Sequence, residues 1–563
     1  MRTKIVLSAM LLFTAFLVFP QPKSEIRAVW LSTISGLDWP RTISDPQEQK
    51  EKLCELLDSL QVININTVIF QVQSQGDVLW ESKIQPASYD ITKDASKGLP
   101  YNVCDFVINE CHKRNMECHA DIVPFRLGKT NSIAKYRANP VKHVYMTHPE
   151  YCDPNSTNGI WLDPGIPEAR QYLLELYTEL LTKHKFDGIN FDYTRYPEYN
   201  GINDSKSYQE YGKGMPLDDW RRNNINTLVH DVYDMAKGID PYIKVGSAPI
   251  GTYKNLPDKH NMAAYDDCWQ DPCEWMQAGK HDLVVPQLYW DEDYGFTPHM
   301  NMWLDNIDGR QFVAGLAAYK AGVFNSNVIP GQIEKVRANP KGAGVSFFRT
   351  QFLTNTENPK IVFLYNTLRD DLFKYPAHIV PMGFNGVTKP NKPVNTAVEY
   401  NDGTYAFKWS APEPDSKNTP IRYYCIYASE SPAVDITDIK NCVGFYIKDT
   451  EFSYASDNTG MNFVVTAFDK NYYESDGVTI STSGIGDNYA NSIAFSYNGN
   501  EINITSGNSI NTVCIYSVPS ATVKQEQINA KEANIPCGDL SGGIYIVKVE
   551  YENGTVSSHK IRK

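Results

Sequence analysis

The chain has 563 residues, 53 basic against 66 acidic, for a formal net charge of −13. That length suits three or four domains, and 35 Gly with 33 Pro is ordinary usage, which excludes collagen-like and low-complexity classes. The acidic balance excludes a nucleic-acid partner, since no dense cationic surface is supplied for phosphates.

Arg2 and Lys4 precede an apolar run from Ile5 to Phe19, interrupted only by Ser8 and Thr14 and followed by Pro20. A charged start before an apolar stretch too short for a comfortable membrane span reads as a signal peptide over residues 1–24. No later stretch reaches about 18 unbroken apolar residues, so no membrane span is expected in the mature chain. The chain is expected to be exported, to the periplasm, the cell surface or the extracellular space. Its 11 cysteines are too widely spread for a disulfide scaffold. Cys425/Cys442 and Cys514/Cys537 fall pairwise in later segments, with connectivity left open. Cys111-His112 and Cys118-His119 imitate a zinc pattern but lack a matching second ligand pair. Neither a metal nor another cofactor is expected.

Between residues 25 and 375, eight short β-branched and aromatic runs alternate with amphipathic helical patterns. The runs are 26–33, 67–73, 117–124, 187–193, 243–249, 282–289, 311–317 and 344–349; the clearest helices are 47–60, 103–114, 167–184 and 220–237. This alternation predicts an α/β fold, a (β/α)8 TIM barrel. A doubly wound sheet is disfavoured because no Gly-rich phosphate turn follows the first strand. Residues 376–393, with four prolines and two glycines, read as a linker. Two small all-β sandwich domains are expected beyond it, over 394–483 and 484–563. In the first, Trp409, Tyr423 and Tyr427 are expected on one core face. It resembles a fibronectin type III module. The last unit ends Ser541-Gly542-Gly543-Ile544-Tyr545 before a basic tail and resembles a Bacteroidota-type C-terminal sorting domain.

Reactive groups of such barrels stand at the C-terminal ends of the strands. Alternation along Gly188–Tyr193 puts Asn190 and Asp192 on one face. A carboxylate facing a barrel mouth is costly unless paired or hydrogen-bonded, so Asp192 is the principal catalytic candidate, with an ion pair to Arg195 or Arg126 as the structural alternative. Asp187 opens the same strand at the bottom and reads as a turn or capping residue.

The order of motifs over residues 25–370 resembles the glycosyl-hydrolase-like family ten. The likeness rests on Arg27-Ala28-Val29-Trp30, Leu37-Asp38-Trp39-Pro40, Phe70-Gln71-Val72, Asp163-Pro164-Gly165, Phe191-Asp192, Asp219-Trp220-Arg221-Arg222 and Pro286-Gln287-Leu288-Tyr289-Trp290. It implies a barrel acting on glycan, with peptidoglycan strands as the foremost substrate class. Two departures stand out. The family's His-Phe-Asp-Asp-Tyr type run is here Asn190-Phe191-Asp192-Tyr193-Thr194, and its Trp-Phe-Asn-Pro-Tyr-Arg run is Asp121-Ile122-Val123-Pro124-Phe125-Arg126. One of two adjacent acids is therefore missing.

Glycoside hydrolysis ordinarily needs two carboxyl groups. Asp266 and Asp271, which coincide with family positions, are the candidates for the second, with Asp77 as a further option; Asp271 is equally well placed to cap the helix containing Trp275. Trp30, Tyr196, Tyr289, Trp290 and Tyr319 could stack on sugar faces or line the cleft. Gln71, Asp77, His119, Arg126, Asn190, Arg195, Arg222 and Gln287 could bond hydroxyls or carboxylates. Arg126 and Arg195 suit the lactyl carboxylate of muramic acid, because a guanidinium grips a carboxylate bidentately. The expected function is exported glycoside hydrolysis of peptidoglycan glycan strands. The alternatives are a non-catalytic glycan-binding protein and a hydrolase of dietary or host polysaccharide.

Overall fold

Eight parallel strands close into a barrel: β1 (Ile26–Leu31), β2 (Thr67–Gln73), β3 (Glu117–Ile122), β4 (Gly188–Phe191), β5 (Lys244–Ser247), β6 (Leu283–Val284), β7 (Gln311–Leu316) and β8 (Gly342–Phe347). Each pairs with the next, and β8 returns to β1. This computed structural model describes residues 21–480 and 493–563, apart from 157–158, 199–200, 258–260, 387, 416, 418, 518–521 and 553–555. The apolar leader run and the expected domain junction at 483/484 lie outside the described residues.

A principal helix follows every strand: α1 (Pro46–Val62), α2 (Val103–Lys113), α3 (Pro167–Lys183), α4 (Leu217–Ile239), α5 (Pro272–Gln277), α6 (Phe296–Leu304), α7 (Val328–Ala338) and α8 (Pro359–Thr367). Their starts are chemically marked. Proline opens α1, α3, α5 and α8, where its missing N–H costs nothing. Asp45, Asn102, Asp271 and Asn358 accept backbone N–H groups as N-caps. The sequence expects a sixth strand over 282–289, but the ladder holds only at Leu283–Val284, with single bridges from Gln287 to Ile250 and Gly315. Pro286 has no N–H to continue it. A small antiparallel sheet of Arg126–Gly128, Cys152–Asp153 and Ile160–Leu162 is inserted between β3 and β4.

The strand register sorts the barrel interior into layers. Ile69, His119 and Gly188 are neighbours across β2, β3 and β4; Gln71, Asp121, Asn190 and Gly246 are neighbours one layer higher, across β2 to β5. Gly188 is required where it stands, since a Cβ there would lie 2.8 Å from atoms of the His119 ring. His119 therefore packs low in the barrel, against Gly188. Its Nε2 lies 3.1 Å from Glu117, which also pairs with the Lys244 ammonium at 2.7 Å, all three buried in the lower barrel.

The described residues to Thr388 make one compact unit, and most of the chain from Lys389 makes a second. The expected linker begins too early. Ala377, Ile379 and Met382 are buried, and His378 exchanges backbone bonds with Lys23 and Glu25, so this stretch belongs to the barrel unit. In the second unit a three-stranded and a four-stranded antiparallel sheet span Val394–Ile480, and a five-stranded antiparallel sheet spans Ile493–Arg562. Trp409 packs edge-on against Tyr424, 5.3 Å between centroids, in a core with Phe407, Ile426 and Phe463. Tyr423 does not share that face; it stacks on Tyr446 and Phe468. The strand Ile421–Ser429 is buried on both sides, and alternation carries no direction in such a strand.

Replacing Lys244 with Met removes the ammonium that neutralises the Glu117 carboxylate in the barrel floor. The expected loss of stability is about 3–5 kcal/mol, read from denaturant unfolding; a loss under about 1 kcal/mol would show that the pair does not hold the floor.

Candidate active site

Asp192 stands one residue beyond β4, with its N–H bonded to the Ile122 carbonyl at 2.9 Å. Tyr193 then adopts a left-handed conformation, φ 48°, and its own N–H turns back to donate to Asp192 Oδ1 at 2.9 Å. Gln287 Nε2 donates to the same oxygen at 3.3 Å and to the Ala248 carbonyl at 3.1 Å, tying the loop after β6 to the end of β5. The Tyr193 ring lies near two guanidiniums, 5.6 Å from Arg126 and 4.7 Å from Arg195. Arg195 is bound by Glu198 at 3.1 Å and Cys268 at 3.2 Å. Arg126 is in no ion pair among the described residues, and its buried Nε has no hydrogen-bond partner.

Asp192, Tyr193, Arg195, Gln287, Tyr289, Trp290, Tyr319 and Lys320 line a pocket of about 270 Å3 at the C-terminal face of the barrel. Tyr289 and Tyr319 meet edge to face at 5.7 Å, and Lys320 donates to the Tyr289 carbonyl at 2.7 Å. Burial pushes the Asp192 carboxyl up to about 6, against the downward pull of the Tyr193 N–H, Arg195, Arg126 and Gln287. Asp192 is the one acid among the described lining residues.

The sequence reading overlooked the acid beneath it. Asp121, at the neighbouring position on β3, is fully buried and accepts the Asn190 Nδ2–H at 3.1 Å. Burial first, then the charge of Asp192, holds its carboxyl well above the usual range, opposed by Asn190, Trp30 and Gln71. The signal was present: the alternation that aims His119 inward aims Asp121 inward as well.

Of the sequence candidates, Asp192, Arg195, Gln287, Tyr289, Trp290 and Tyr319 come together at the pocket, and Arg126 flanks Asp192. Trp30, Gln71 and Asn190 lie below, against Asp121; Gln71 Oε1 also accepts the N–H groups of Thr33 and Ile34. The others are placed differently. Tyr196 is fully buried, its hydroxyl accepting from Asn224 and its ring edge-on to Trp269, and offers no face to a sugar. Arg222 is held by Asp219 and the Tyr265 carbonyl. Asp77 is buried against the Tyr136 hydroxyl. Asp266 is exposed on a short helix and does not line the pocket. Asp271 caps α5 through the Glu274 N–H and accepts the Tyr253 hydroxyl at 2.8 Å. No cluster of three or more His, Cys, Asp or Glu among the described residues could hold a metal ion.

A parallel barrel with a hydrogen-bonded carboxylate and aromatic side chains at its C-terminal mouth defines a glycoside-hydrolase-like protein. Residues 25–311 match the family described as Glycosyl hydrolase-like 10, and the chain belongs to that family. Residues 483–562 match a domain of unknown function. Similar curated proteins are the glycosyl hydrolase YngK of Bacillus subtilis, 28% identical over 449 residues that cover 76% of this chain and 87% of that one, and the glycosyl hydrolase DigH of Escherichia coli K12, 30% identical over 381 residues, 61% and 87%. The glycoside hydrolase domain of PgaB (BpsB) from Bordetella bronchiseptica superposes with a TM-score of 0.44 at 14% identity, over 62% of this chain and 99% of that domain.

Asp271→Ala separates capping from chemistry. Loss of the cap is expected to cost about 1 kcal/mol, seen as a lower Tm, with glycan turnover of the folded variant within about threefold of the parent; a positioned acid or base would instead be worth roughly 10²–10⁴-fold.

Proposed function

We propose that the chain is an exported glycoside hydrolase that cleaves glycan strands, peptidoglycan foremost, with Asp192 as the working carboxylate. The observation that carries this reading is the state of Asp192: a carboxyl at the strand-end mouth, fixed by the Tyr193 N–H and Gln287, whose titration is shifted to about 6. A group poised near the working pH serves as nucleophile or base, the role one of the two carboxyl groups plays in glycosidic cleavage. Tyr289, Trp290 and Tyr319 supply amphipathic ring surface for sugar faces.

The cationic rim supports an acidic glycan. Arg126, with its free Nε beside Asp192, suits the lactyl carboxylate of muramic acid, whereas Arg195 is already engaged by Glu198. The charged and apolar leader over residues 1–24 supports export. We read residues 394–483 as a fibronectin type III-like module and residues 484–563 as a sorting-like domain, which suits a periplasmic, cell-surface or extracellular enzyme.

A second reading, a glycan-binding protein without catalysis, is favoured by one observation: no other acid lines the pocket among the described residues. Incubation with peptide-stripped glycan strands, with neutral polysaccharides in parallel, separates the readings. Shorter oligosaccharides from the glycan strands are expected; binding without products across the pH range would leave the second reading standing.

Asp192→Asn is expected to keep the fold and lower turnover at least 10²–10⁴-fold. In the parent, activity should rise with pH through about 6 as Asp192 becomes the anion; activity that falls over that interval would mean Asp192 acts as its protonated form. Arg126→Lys loses the bidentate fork. Affinity for muramic-acid-containing strands should fall about tenfold with little change for neutral glycans, measured by calorimetry; equal effects on both would remove the carboxylate-binding role.

A further inference from the structure

Asp121 and Asn190 are joined by one hydrogen bond, from Asn190 Nδ2 to Asp121 Oδ1. The two atoms left over, Asp121 Oδ2 and Asn190 Oδ1, are both buried and both without a partner. Each is an acceptor, so a charged carboxylate leaves both unsatisfied. A proton on the Asp121 carboxyl would supply the one donor the pair lacks.

We propose that Asp121 is the second acid of this site, a carboxylic acid paired with the Asn190 amide and protonated at neutral pH, which leaves Asp192 as the single anion of the two. This assignment rests on the hydrolase reading only for its catalytic meaning; the protonation state itself follows from the buried pair. The charges around Asp121 agree with it, while Asn190, Trp30 and Gln71 pull the other way as hydrogen-bond donors. Asn190 comes from β4 and Asp192 from just beyond it, Gln71 from β2, Trp30 from β1, and Tyr289 lies in the loop after β6. None of these is a cation. The lower residues of β3, His119 and Glu117, are occupied with one another and with Lys244. No arginine or lysine forms an ion pair with Asp121 among the described residues, whereas Asp192 has Arg195 and Arg126 nearby. Two carboxyls in such unlike surroundings divide their roles, one holding charge and the other holding a proton. Asp121 has no exposed surface, so it is a positioning residue: it fixes the charge on Asp192 without touching substrate.

The sign of the pH dependence follows from linkage. A folded-state carboxyl that titrates above its unfolded value contributes stability at low pH and loses it as pH rises. Asp121→Asn supplies the missing donor permanently and cannot ionise. The full-length variant should therefore fold, and its Tm should gain several degrees on the parent between about pH 5 and about pH 9. A Tm difference that stays flat, or in which the variant loses ground as pH rises, overturns the proposal. Should the Asn variant not fold, the infrared spectrum of the folded parent gives the same decision. A carboxylic-acid C=O band persisting at about pH 8, where Asp192 is ionised, supports it; its absence overturns it. Both readouts concern the resting protein and decide the protonation state whether or not glycan is cleaved, so failure of the hydrolase reading shows separately, as absence of products.

Discussion

A carboxyl group deprived of water must be paired, hydrogen-bonded or neutral, and the upper barrel meets that demand differently on adjacent strands. Asp192 receives the Tyr193 N–H and the Gln287 amide and lies within the field of two guanidiniums. Asp121, one strand away and deeper, accepts the Asn190 amide and has the Asp192 carboxyl beside it, with no cation pairing it among the described residues. The left-handed turn at Tyr193 makes the difference, because it folds one N–H back onto Asp192 and places an aromatic ring near Arg126 and Arg195. Position on the strand and backbone handedness together decide which acid can carry charge.

The lower half of the barrel handles its carboxylates in another way. Asp187 accepts the Cys118 N–H at 2.9 Å and bonds His112, and Asp282 accepts the Val245 N–H at 2.8 Å and pairs with Lys237. Glu117 is neutralised by Lys244. These acids stitch neighbouring strands where each begins, and their partners are complete. At the mouth, by contrast, Asp121 Oδ2, Asn190 Oδ1 and Arg126 Nε remain unsatisfied. Buried polar atoms without a partner call for an explanation, and these three stand at the end of the barrel where reactive groups are held.

The barrel was legible because eight β-rich runs alternate with helices that begin at Pro or Asp and Asn caps, signals that are local and additive. Asp192 was legible for a related reason: period-two alternation in a short strand leaves only two faces to choose from. Asp121 obeys the same rule as His119, and only the strand register, which the sequence does not record, separates the layer of one from the layer of the other. Tyr196 and Asp266 lie beyond strand ends, where no periodicity records which way a side chain turns. Asp271 fits a cap and a catalytic acid equally well in sequence; the structure shows the cap, through the Glu274 N–H, and places the residue outside the pocket lining. The Trp409 face was misjudged because the strand carrying Tyr423 and Tyr424 is buried on both sides.

Asp121 on β3, Asn190 on β4 and Tyr193 just beyond it gain a physical sense when they are placed together. Asp121 and Asn190 are hydrogen-bonded neighbours, with Tyr193 just above them on the same β4 segment. A histidine at 190 beside Asp121 would take its proton and fix an ion pair in the barrel interior; an amide cannot, and so the acid stays neutral. A second aspartate at 193 would place two like charges side by side at the mouth, which raises the titration of both; a tyrosine there gives the two guanidiniums a ring to rest on and leaves their field for Asp192. The upper barrel thus holds two carboxyl groups of which Asp192 carries the charge and Asp121 the proton.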